Sequence, residues 1–160
     1  MPLVLWLVLS QWDSVMGRMV ALVLLILTAA TDGIDGAIAR KRNLVTNLGK
    51  ILDPIADKAL LSGALIALSI VGAVPWLATI LILARELGIT VYRLVVVKKR
   101  VIAASSGGKF KTVMQIIAAS MALAPFESLG DWYSVLTQIV IWFTVALTLY
   151  TGLQYLRPQK

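Results

Sequence analysis

The sequence of 160 residues contains no cysteine and no histidine. The first absence excludes a disulfide framework, a thiolate metal site and a cysteine nucleophile. The second excludes imidazole acid–base chemistry and histidine-ligated zinc. Charge is also scarce, at 14% of residues against about 25% in a typical soluble domain. Acids are the scarcest class, with eight Asp and Glu against 15 Lys and Arg, for a net charge of +7. Any catalysis therefore falls to carboxylates, Lys, Arg, Tyr, hydroxyls or a metal held by oxygen. No basic n-region of a secretory signal opens the chain. No repeat or low-complexity linker divides it, so residues 1–160 read as one domain.

What the sequence has in excess is apolar surface, 59% of residues. A soluble domain of this size buries only about 70% of the surface its unfolded chain exposes. The composition excludes an ordinary water-soluble globule and a disordered chain. It predicts an all-α, polytopic membrane bundle. Five stretches approach the roughly 20 apolar residues of a spanning helix: Met19–Arg40, Leu48–Val74, Pro75–Val97, the shorter Lys111–Pro125, and Trp132–Leu156. A sixth, Pro2–Trp12, reaches about half a bilayer core at about 1.5 Å per residue. The expectation is six transmembrane helices, the first truncated.

Charge distribution orients this bundle. Arg40, Lys41 and Arg42 follow span two; Lys98, Lys99, Arg100, Lys109 and Lys111 surround the loop after span four; Arg157 and Lys160 end the chain. The opposite loops are read as holding Asp13, Arg18, Glu127 and Asp131. The basic side is cytoplasmic by the positive-inside rule. The positive excess is then topology plus attraction to anionic lipid headgroups, and no nucleic-acid partner is expected.

Four of the eight acids, Asp32, Asp35, Asp53 and Asp57, fall within one short segment. Spans two and three form an antiparallel hairpin turning near Asn43–Val45. That places Asp35 level with Asp53, and Asp32 level with Asp57. Spacings of i,i+3 and i,i+4 put each pair on one helix face. The spacing thus predicts one site of four carboxylates near the cytoplasmic surface. Four such groups need protons or cations to coexist. An all-oxygen donor set favours Mg²⁺ or Mn²⁺, and two ions suit phosphoryl transfer on a ligand carrying a di- or polyphosphate. Spacing alone also admits a proton or cation pathway in an ion-coupled transporter, or structural pairing with Arg40, Lys50 or Lys58. The small residues nearby are read as helix packing at Gly33 and Ala37 and as room for a ligand at Gly36 and Gly49.

The segment from Asp32 to Asp57 reads D-x-x-D-G-x-x-A-R-x8-G-x3-D-x3-D, with fixed positions Asp32, Asp35, Gly36, Ala39, Arg40, Gly49, Asp53 and Asp57. This resembles the signature of the CDP-alcohol phosphotransferase family of six-helix membrane enzymes. Leu52–Lys58, Ala84-Arg85-Glu86, Gly108–Thr112 with Gln115, and Leu153–Leu156 resemble its phosphatidylglycerophosphate-forming branch. The similarity runs from about Leu3 to Leu156. Members of that branch usually begin with an amphipathic segment before span one. That segment does not precede Leu3 here, so a missing N-terminal part is expected.

The resemblance implies transfer of a phosphatidyl group from CDP-diacylglycerol to glycerol 3-phosphate, releasing CMP. Other members use inositol phosphate, serine or phosphatidylglycerol as acceptor. It implies metal ligation by Asp32, Asp35, Asp53 and Asp57, with Asp57 as general base. It implies contacts to CDP-diacylglycerol from Gly36, Ala39, Arg40, Thr46 and Gly49. The acceptor phosphate needs its own cations; Lys109 and Lys111 fit best, with Arg85 and Arg93 also candidates. Glu86 is read alternatively as a plain neutraliser of Arg85. The resemblance further implies a bacterial inner membrane setting and a homodimer.

Overall fold

The computed structural model describes the backbone of residues 2–41, 49–96 and 106–156, and the side chains of residues 2–31, 58–92 and 110–154 apart from Glu127. Within these residues the chain is all helical. The helices are α1 (Pro2–Ser10), α2 (Val15–Lys41), α3 (Gly49–Ile70), α4 (Trp76–Val96), α5 (Ser106–Leu123) and α6 (Asp131–Leu156), with a 3₁₀ turn at Glu127–Leu129.

Local chemistry sets the ends of these helices. Ser14 precedes α2, and its hydroxyl accepts the Gly17 amide at 3.1 Å, an N-cap bond. Gly17 is required there, since a Cβ would lie 2.5 Å from the Gln11 Cβ. At the end of α3, Gly72 takes φ +80°. The Ala73 amide then reaches the Leu68 carbonyl at 2.9 Å, and the Gly72 amide the Ser69 carbonyl at 3.2 Å. This is the Schellman pattern, which satisfies carbonyls the helix itself leaves unpaired. Pro75 follows, and its carbonyl accepts the amides of Ala78 at 3.0 Å and Thr79 at 3.3 Å in the first turn of α4. Asp131 opens α6, where an acid complements the helix dipole.

Two findings correct the expected layout. α5 begins at Ser106 rather than Lys111, because a polar first turn does not stop a helix whose backbone bonds are intact. Arg18 is not in a loop. It lies near the start of α2 and is buried, and it donates to the carbonyls of Leu123 at 3.2 Å and Ala124 at 2.9 Å.

The core joins all six helices through small and branched side chains. One cluster contains Val4 and Val8 of α1, Ala21 and Leu25 of α2, Ala64 and Leu68 of α3, Ala78 and Ile82 of α4, Ala119 and Leu123 of α5, and Ile141 and Val145 of α6. α1 packs on both α2 and α3, and α5 on α2, α3 and α6; α4 joins α3 to α6. The alanines let backbones approach closely, as in lipid-embedded bundles. The outer faces are apolar as well, with Trp6, Val23, Leu77, Ile80, Val135, Ile139 and Phe143 all exposed. Helices apolar on both faces suit a lipid surround. Among the described residues, the stretch Asp131–Gln154 of α6, 24 residues, is long and apolar enough to cross a membrane. Val15–Thr31, Lys58–Ile70 and Phe110–Leu123 are shorter apolar helices.

Candidate active site

The motif falls on two helices. Asp32, Asp35, Gly36, Ala39 and Arg40 lie on the C-terminal part of α2, and Gly49, Asp53 and Asp57 on the N-terminal part of α3. Both backbones are helical through these positions, so the i,i+3 and i,i+4 spacings do correspond to shared helix faces. α3 runs unbroken through Pro54, beyond its first turn. Proline lacks the amide that would bond four residues back, which leaves the Lys50 carbonyl without that bond. The side chains of these motif residues lie outside the described residues, as does Thr46 altogether. The side chains of Arg93 on α4 and Lys109 on α5 lie outside them too. Among the described residues no group of three acids able to hold a metal occurs, and all four motif aspartates are outside that set.

Lys58, the next residue after Asp57, belongs to a polar cluster between α3, α4, α5 and α6. Glu86 of α4 is its hub. Its Oε1 accepts from Arg85 Nη1 at 3.0 Å and from the Lys111 ammonium of α5. Arg85 Nη2 continues to the Thr151 hydroxyl of α6 at 3.2 Å. The Lys58 ammonium of α3 donates to the Thr90 hydroxyl of α4. Each threonine in turn donates to its own helix: Thr90 to the Glu86 carbonyl at 2.6 Å, Thr151 to the Leu147 carbonyl at 2.9 Å. Gln115 of α5, only 2% exposed, donates weakly to Thr148 of α6 at 3.5 Å. Four helices, α3, α4, α5 and α6, thus meet through side-chain polar groups.

Space and charge are both arranged here. Arg85 passes so close to Gly152 that a Cβ there would lie 3.0 Å from its Cγ and Nε. A cavity of about 100 Å³ adjoins the cluster, lined by Lys58, Ser62, Glu86, Lys111, Thr112 and Gln115 among apolar neighbours. Two cations, Arg85 and Lys111, share the Glu86 carboxylate, and Glu86, Lys111 and Lys58 all line that cavity. A wider groove of about 580 Å³ on the outer face of α6 is lined by Val135, Ile139, Trp142 and Phe143 with Ser134 and Gln138, and none of these residues is ionisable.

Of the residues singled out for acceptor binding, the structure brings Arg85 and Lys111 together through Glu86. The alternative in which Glu86 neutralises Arg85 describes this pair correctly but omits Lys111. Lys58 enters as a cluster member. Thr90, Thr148, Thr151 and Gly152 were missed by sequence reasoning. The available signal was in α6, where Thr137, Thr144, Thr148 and Thr151 form a buried hydroxyl stripe at helical spacing.

Comparison with known proteins assigns the family. The CDP-alcohol phosphatidyltransferase family model matches residues 1–150. A Mycobacterium tuberculosis protein named probable phosphatidylglycerophosphate synthase is 43% identical over 138 residues, covering 86% of this chain and 65% of the relative. Bacillus subtilis and Rickettsia bellii proteins named CDP-diacylglycerol–glycerol-3-phosphate 3-phosphatidyltransferase are 42% and 38% identical. These alignments cover 83% and 92% of this chain, and 69% and 83% of the relatives. The chain thus spans a little under two thirds of the mycobacterial relative's length. A family match across nearly the whole length, carried by a motif whose helical placement matches its spacing, means that the chain belongs to the CDP-alcohol phosphatidyltransferase family.

Proposed function

We propose that this chain transfers a phosphatidyl group from CDP-diacylglycerol to sn-glycerol 3-phosphate, giving phosphatidylglycerol phosphate and CMP. The observation that carries the reading is the complete acidic motif on two continuous helices within the family match. The names of the relatives support glycerol 3-phosphate as acceptor. The setting is a six-span bundle in a bacterial inner membrane, with the site near the cytoplasmic face. The apolar outer faces support a membrane, and the basic residues support that orientation. A homodimer belongs to the same proposal.

The donor set fits hard divalent ions: four carboxylates, two per helix, with no sulfur or imidazole in the chain. Asp32, Asp35, Asp53 and Asp57 would hold two Mg²⁺ or Mn²⁺ ions, which supply charge neutralisation for the pyrophosphate. Gly36, Ala39, Arg40, Thr46 and Gly49 line the CDP side. Asp57 takes the proton from the primary hydroxyl of glycerol 3-phosphate. That oxygen then attacks the phosphorus bearing diacylglycerol, and the bond to CMP breaks in line. No covalent enzyme intermediate is needed. Lys109, Lys111, Arg85 and Arg93 are the cations assigned to the acceptor phosphate.

The test is CMP release from CDP-diacylglycerol by the purified chain. Release should require glycerol 3-phosphate; release with inositol phosphate or serine instead overturns the acceptor assignment. Asp57→Asn should lower turnover by about a thousandfold, the scale of a lost general base, while membrane insertion is kept. Unchanged turnover removes Asp57 from the chemistry.

A further inference from the structure

Glu86 takes no part in the mechanism above, yet it organises the buried cations around the cavity. One of its oxygens accepts from Arg85 on its own helix and from Lys111 on α5. Adjacent residues on a helix do not ordinarily face each other. Arg85 meets Glu86 because its side chain turns past Gly152 toward α6, where Thr151 receives its other terminal nitrogen. The Arg85 Nε is buried and has no partner among the described residues, and the two terminal nitrogens hold the guanidinium. An ammonium has three N–H donors, and the bond to Glu86 uses one of those on Lys111. Two cations are therefore fixed with donor capacity left over: Lys111 lines the cavity together with Glu86 and Lys58, and Arg85 is tied to it through Glu86.

We infer that Glu86 is a positioning residue for the acceptor: it holds Arg85 and Lys111 where their residual charge meets the phosphate of glycerol 3-phosphate. This rests on the proposal that those two cations face the acceptor. Without the carboxylate, two buried cations, one on α4 and one on α5, repel each other, and the flexible lysine withdraws. The acceptor then meets a displaced charge. The diacylglycerol and CDP sites, assigned to α2 and the start of α3, are left as they were.

The experiment compares Glu86→Gln, Glu86→Asp and Lys111→Met in the full chain in detergent. Initial CMP release is followed against each substrate separately, together with thermal stabilisation by added glycerol 3-phosphate. Glu86→Gln should raise the KM for glycerol 3-phosphate about tenfold, the scale of one charge-assisted contact, with the KM for CDP-diacylglycerol unchanged. It should also lose the stabilisation by glycerol 3-phosphate, and Glu86→Asp should recover most of both. If Lys111→Met raises that KM and Glu86→Gln does not, the positioning role is wrong and the acceptor assignment stands. If neither variant changes it, the acceptor assignment fails and the inference with it. A Glu86→Gln protein that only melts earlier, with both KM values kept, makes Glu86 simple helix glue and overturns the inference. Should Glu86→Gln not fold, the aspartate variant decides alone: acceptor KM and stabilisation near wild type support positioning, and a kcat loss at unchanged KM refutes it.

Discussion

Among the described residues two arginine side chains are buried, and they do opposite work. Arg18 is 8% exposed; its guanidinium lies 4.4 Å from the Trp12 ring and donates to the Leu123 and Ala124 carbonyls. Those carbonyls end α5, where the helix has no amide left to offer. The positive charge also sits at the negative end of a helix dipole. Arg18 therefore closes off a backbone end. The Arg85 side chain is as deeply buried, but its partners are side chains, Glu86 and Thr151. It shares its carboxylate with Lys111 beside a cavity. Burial of a cation is thus no mark of function by itself. The kind of partner distinguishes the second arginine from the first: side chains hold it, and one of them, Glu86, lines a cavity with a second cation.

That contrast can be broken by substitution. The largest effect on stability is expected from Arg18→Met. It strands two carbonyls at the end of α5 and should cost about 2–3 kcal/mol in unfolding free energy, the scale of lost hydrogen bonds to a charged group. Both KM values of the surviving protein should stay within error. A changed acceptor KM would erase the distinction between the two arginines. Arg85→Met should do the reverse, raising the KM for glycerol 3-phosphate about fivefold, the scale of one weakened anion contact. Its thermal midpoint should fall less than that of Arg18→Met. Gly152→Ala is the mildest change. Its added methyl presses on Arg85 without removing any hydrogen-bonding group. It should raise the acceptor KM about twofold with little loss of kcat, a pure displacement effect. An unchanged KM would mean that the path of Arg85 past α6 does not matter to the acceptor.

The helices were largely legible in the sequence, because their limits are written in local chemistry. Gly72 and Pro75 separate α3 from α4, and Pro125 follows the end of α5, as a residue that cannot continue a helix does. α5 was read too short because apolarity was taken as its boundary, although its polar first turn forms the same backbone bonds. The motif aspartates fall on helices at the spacing that suggested a shared face. Arg18 was misplaced because a charge near an apolar stretch reads as a loop residue. Its partners are more than a hundred positions away, at the far end of α5, and nothing local announces them. The Arg85–Glu86 pair was visible as neighbours in the chain. The arrival of Lys111 and Thr151 was not, since both come from other helices whose rotation only packing decides.

The two threonines of the cluster carry a consequence for ligand choice. Each hydroxyl has a single proton, and in Thr90 and Thr151 that proton points at a carbonyl of its own helix. Neither has a hydrogen left to offer a phosphate oxygen. They steady the cations yet are mute toward an anion, which leaves the cations, with Ser62, Thr112 and Gln115 along the cavity wall, to meet it. A sugar phosphate and a glycerol phosphate would look alike to Arg85 and Lys111. On the proposed assignment these two cations read the phosphate alone, and discrimination among acceptor alcohols would fall to the groups around the attacking hydroxyl.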